Sequence, residues 1–104
     1  DLFSNPPKVD KLAMKEWNKK QQSESDVRKL IEIIRDVAYK LDKTQVPLCH
    51  VRNLFNEHAY NARFLAALSR ARLEGFVVQE GTGRSADVFV DWSRWLPFPF
   101  GPPL

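Results

Sequence analysis

Cysteine is nearly absent from this chain. Cys49 stands alone among 104 residues, so no internal disulfide can form, and a reducing compartment is the expected setting. No run of about 18 apolar residues occurs, which excludes a helical membrane span. The chain begins at Asp1 and has no signal-peptide pattern, and it reads as a piece of a longer protein. Chemistry-bearing motifs are missing as well. There is no Walker sequence, no Gly-x-Ser-x-Gly and no His-Glu-x-x-His. Gly81-Thr82-Gly83 lacks the Gly-Lys-Ser/Thr ending of a phosphate loop and lies between two strand-like segments. His50 and His58 with one cysteine fall short of a zinc site, which takes four ligands at set spacing. Cys49 and His50 are neighbours on a helical stretch, so their side chains diverge by about 100° and do not form a thiolate–base pair. A non-enzymatic protein with neither cofactor nor metal is expected.

What is present describes a globular domain. Hydrophobic residues make up 43% and charged residues 28% of the chain, and the length suits one domain with one modest core. The net charge of +3 permits binding to a phosphate backbone without requiring it. The chain divides into a lead-in with a short helix over 1–25, a domain over 26–91 and a tail over 92–104. In the lead-in, Pro6-Pro7 is extended and Val9 to Lys20 favours a short helix with Leu12, Ala13, Glu16 and Trp17 on one face. Ser23, with Asp26 three residues on, resembles a capping box that starts a second helix, and Ser25 is an alternative cap. Val27, Leu30, Ile31, Ile34, Val37, Ala38 and Leu41 then recur with a 3.6-residue period. Gln45-Val46-Pro47 reads as a short extended piece that proline confines to a sheet edge or a strand end. Leu48 to Phe55 reads as a short helix, Asn56-Glu57-His58 as a turn, and Tyr60 to Glu74 as a helix with Tyr60, Phe64, Leu65, Leu68 and Ala71 inward. Gly75 stands where a left-handed cap belongs. Phe76–Gln79 and Asp87–Asp91 read as paired strands around a flexible Gly81–Ser85 loop.

That order of elements is α+β and predicts a winged helix-turn-helix: a three-helix core and a two-stranded wing, with an extra N-terminal helix before it. Such a fold offers its third helix to a DNA major groove and its wing to the adjacent backbone. The candidate DNA-binding residues are Arg63 and Arg70, seven residues apart on one helix face, with Ser69 beside them and Arg84 and Thr82 at the wing tip. Arginine's planar fork suits phosphate or guanine edges, and small hydroxyls suit backbone contact. A solvated helix face and an ordinary hairpin are the plain readings of the same residues. Arg72 is expected to snorkel near the core edge. Lys8, Lys11, Lys15, Lys19 and Lys20 either add sequence-independent attraction for double-stranded DNA or form a solvated face. In the tail, Trp92, Trp95, Phe98 and Phe100 alternate with prolines. An apolar stretch of this kind either folds back on its own domain or fills a groove on a partner subunit. A protein-interaction module docking through that tail, with Trp17, Ala62 and Ala66 adding contact area, is therefore the rival to DNA binding.

Asn61-Ala62-Arg63-Phe64, together with Ala67, Ser69, Leu73 and Gly75-Phe76-Val77, resembles the C-terminal winged-helix domain of origin recognition complex subunits, most nearly the third subunit. The likeness runs from about Ala59 to Trp92, a third of the chain. It implies a nuclear, chromatin-associated subunit of the machinery that initiates DNA replication, whose module touches DNA and packs on neighbouring subunits.

Overall fold

The computed structural model describes residues 11–94. Three helices and a small antiparallel sheet follow one another: α1 (Lys11–Leu41), β1 (Val46–Pro47), α2 (Leu48–His58), α3 (Asn61–Leu73), β2 (Val77–Glu80) and β3 (Asp87–Val90). The fold is α+β and compatible with a winged helix. Short 3₁₀ turns occupy Gly83–Ser85 and Trp92–Arg94.

The extra N-terminal helix does not exist as a separate element. α1 is one helix of 31 residues that runs through the expected boundary at 25/26. No glycine or proline interrupts the sequence from Lys8 to Gln45, and residues 11–22 are mostly strong helix formers. Ser23 and Ser25 therefore lie inside the helix and cap nothing, because helix propagation needs only continuity of good formers. Residues 12–22 of α1 are all exposed, Trp17 at 60%, and Glu16, Lys19, Lys20 and Gln22 among them form one wall of an open groove against Tyr60 and α3.

The remainder of α1 supplies the core. Val27, Leu30, Ile31, Ile34, Val37 and Ala38 are buried as their period requires, and Ile33 joins them. Leu41, expected on that face, is 39% exposed because the helix ends there. Asp42 takes a left-handed conformation (φ 53°), and the Lys43 amide donates to the Ala38 carbonyl at 3.1 Å. That is a Schellman closure without glycine, which aspartate tolerates better than most residues. α3 closes the same way with the expected glycine: Gly75 has φ 80° and the Phe76 amide donates to Ala71 at 2.9 Å.

α2 extends to His58, so the expected turn at 56–58 is helical. The His58 ring meets Phe55 edge-on at 5.8 Å, and Phe55 packs against Phe64 at 5.6 Å, tying α2 to α3. The sheet order is β1-β3-β2. Pro47 sits in the two-residue edge strand β1, opposite Asp87, where its missing N–H costs no interior ladder bond. Val46, Val77, Val88 and Val90 point into the core. Trp92 is half-buried against that core.

Two inward assignments on α3 are corrected. Tyr60 is 67% exposed, because it precedes the helix as its N-cap residue. Leu65 is 51% exposed, since the core faces are already filled by Phe64, Ala67, Leu68 and Ala71.

Candidate nucleic-acid interface

α3 has two functional sides. The side turned to α1 carries Arg63 and Arg70. Arg63 Nε and Nη2 donate to Asp26 Oδ2 and Oδ1 at 3.0 and 2.7 Å, a two-bonded fork onto a carboxylate that is 4% exposed. The hydrogen-bonded Asp26 carboxylate raises the guanidinium's pKa above its ordinary value, against a smaller opposing effect of burial. The Arg63 guanidinium also lies 5.8 Å from the Tyr60 ring centre. Arg70 Nε donates to Glu74 Oε1 at 3.1 Å, and its Nη2 is 3.6 Å from Glu24 Oε1. The two arginines share a face, as their seven-residue spacing requires, but it is the face that clasps α1. Both are half-buried and already neutralised.

The outward side of α3 is different. Asn61, Leu65, Ser69, Arg72 and Leu73 are exposed there, Leu73 at 89%, whereas exposed Ala62 and Ala66 line the groove that α3 makes with α1. Arg72, expected to lie along the core edge, is exposed instead. The helix's last turn carries it past Ala71, which is the residue that faces inward.

Arg84 occupies the tip of the β2–β3 hairpin, exposed in the Gly83–Ser85 turn. Within the expected loop, Ser85 Oγ donates to the Thr82 carbonyl at 2.9 Å and Gly81 holds φ 82°. A side chain at Gly81 would place its Cβ 3.0 Å from the Ser85 carbonyl oxygen.

Arg52 of α2, which sequence reasoning passed over, lines the same cleft as Arg84. Arg52, Arg72 and Arg84 form no ion pair among the described residues, whereas Arg35, Arg63 and Arg70 each hold a carboxylate. Arg52 was identifiable in principle: it lies one residue past buried Val51 and three before buried Phe55, off the apolar stripe of α2.

Lys15, Lys19 and Lys20 are exposed on the first part of α1. Lys8 and the side chain of Lys11 lie outside the described residues, as do the expected partner-binding residues Trp95, Phe98 and Phe100. Trp92 has part of its surface covered by its own core. Among the described residues no cluster of histidine, cysteine, aspartate and glutamate is suited to a metal, and no helix is long and apolar enough to cross a membrane. Comparison with protein-family models, with curated proteins and with solved structures finds no match to this chain.

Proposed function

We propose that this chain is a non-enzymatic winged-helix module that lies against duplex DNA within a multi-subunit, chromatin-associated nuclear assembly. One observation carries the reading. Among the described residues four exposed arginines have no carboxylate partner: Arg52, Arg72 and Arg84 border the outward side of α3 and the hairpin tip, and Arg28 lies on α1, while Arg63 and Arg70, which face α1, are paired. A helix-turn-helix presents that outward side to DNA. Phosphate contact falls to Arg52, Arg72 and Arg84, with the Ser69 and Thr82 hydroxyls beside them. Base reading is slight, because Leu65 and Leu73 offer no side-chain hydrogen-bonding groups to base edges. The resemblance to origin recognition subunits supports replication initiation as the setting.

The test is fluorescence anisotropy on a labelled duplex over a salt series. Binding should be weak, with a Kd of about 10⁻⁴ to 10⁻⁶ M at physiological salt and little dependence on sequence. Removing Arg52, Arg72 or Arg84 should each lower the salt slope by about 1, and removing Arg63 should leave it unchanged. Absence of binding at low salt refutes the reading.

A second reading is favoured by Leu73 and Leu65, whose exposure is unusual for a face that meets only DNA. Here the outward side of α3 docks on a partner subunit. A photo-crosslinking residue at position 65 of the intact assembly distinguishes the two: it captures protein in this reading and DNA in the first.

A further inference from the structure

Between α2, α3 and the hairpin lies a cleft of about 360 Å³, lined by Leu48, Cys49, Arg52, Leu65, Gln79 and Arg84 among others. Its properties are more specific than those of the α3 face beside it. Phe64 and Leu68 complete an apolar floor with Leu48 and Leu65. Arg52 and Arg84 are exposed at the rim and form no ion pair among the described residues.

From these two features we infer that the cleft binds a short extended peptide from a partner protein, with an apolar anchor residue and a neighbouring carboxylate. The anchor covers the floor. The carboxylate accepts N–H groups from both Arg52 and Arg84, which line the same cleft, the kind of acceptor that suits guanidinium best. A nucleotide fits the floor less well, since it is built mainly from aliphatic side chains, while bases bind by stacking on exposed aromatic rings. The inference rests on the DNA reading in one respect only: the peptide's carboxylate takes arginines that would otherwise meet phosphate. An acidic peptide and DNA therefore exclude one another at this edge of the domain, and the partner acts as a mimic of the DNA backbone.

The experiment uses a random heptapeptide library displayed on phage and panned against the whole chain. Selected sequences are then made as fluorescein-labelled peptides and measured by anisotropy. The selected peptides should share Asp or Glu within three residues of Phe, Leu, Ile or Trp. Their affinity should fall at least tenfold in Arg52→Glu and in Arg84→Glu. Arg72→Glu lies outside the cleft and should leave peptide affinity unchanged while weakening duplex DNA binding, so the peptide and DNA readings fail separately. Added duplex should displace the peptide. No enrichment, a selected set without acidic residues, displacement failing with DNA bound, or affinity retained in either arginine variant overturns the inference. Arg52 and Arg84 are exposed, so their variants should fold, and a circular-dichroism melt checks that they do.

Discussion

Arg63 shows how one residue can satisfy a sequence pattern and serve a different end. Its spacing from Arg70 fits a helix that reads DNA, yet its fork closes on Asp26 across the interior edge of α1. Asp26 is the buried member, its side chain 6% exposed against 25% for Arg63, so losing Arg63 strands a carboxylate in a poorly hydrated place, which costs more than losing an exposed ion pair. Arg63→Ala should lower Tm by about 5–15 °C in a thermal melt, with no change in the DNA salt slope. Arg63→Lys should recover little of the pair, because an ammonium cannot form two parallel bonds to one carboxylate. The raised pKa of Arg63 fixes the sign of its pH dependence. The folded state holds this proton more tightly, so the pair's contribution is complete at neutral pH and disappears only as pH rises through the guanidinium's elevated value. A Tm that drops between neutral and mildly alkaline pH, and that does not drop in Arg63→Ala, would contradict this.

At the scale of elements, the helices were readable wherever one apolar stripe met one flat partner. The α1 period from Val27 to Ala38 and the Phe64, Leu68, Ala71 set of α3 match the buried residues. The continuity of α1 was hidden by Ser23-Glu24-Ser25-Asp26, which looks like a helix start. Nothing local distinguishes a capping box from four polar residues in mid-helix when the partner of one of them, Arg63, lies 37 residues away. Tyr60 and Leu65 were misplaced for a related reason: their periodicity is right, but the core has room for only one stripe of α3. The candidate site was half readable. Arg84 and Ser69 stand where a helix-turn-helix predicts exposed residues, while the separation of paired from unpaired arginines needs the fold. Two outcomes check the element boundaries. Asn18→Pro should reduce the far-UV helical signal and leave Tm nearly unchanged, because residues 12–22 do not enter the core. Gly75→Val should destabilise by about 1–2 kcal/mol in a urea titration, since φ 80° is strained for a β-branched residue.

For the molecule as a whole, the small core is concentrated where α2 and α3 meet under α1. Phe55 is fully buried there and touches Phe64. Phe55→Ala should cost about 3–5 kcal/mol, a large part of the 5–15 kcal/mol typical of a single domain. Equilibrium denaturation should show a marginally folded variant, and a loss under 1 kcal/mol would show that the core is centred elsewhere.

The unbroken α1 has a phasing consequence. A helix turns about 100° and rises 1.5 Å with each residue. One residue inserted among positions 12–22 would leave the arginine-bearing surface untouched, yet it would swing everything before it about a quarter-turn around the helix axis. Seven inserted residues would nearly restore the original bearing, about 10 Å farther out. Whatever reads the orientation of this arm should therefore tolerate insertions of seven and reject insertions of one or two.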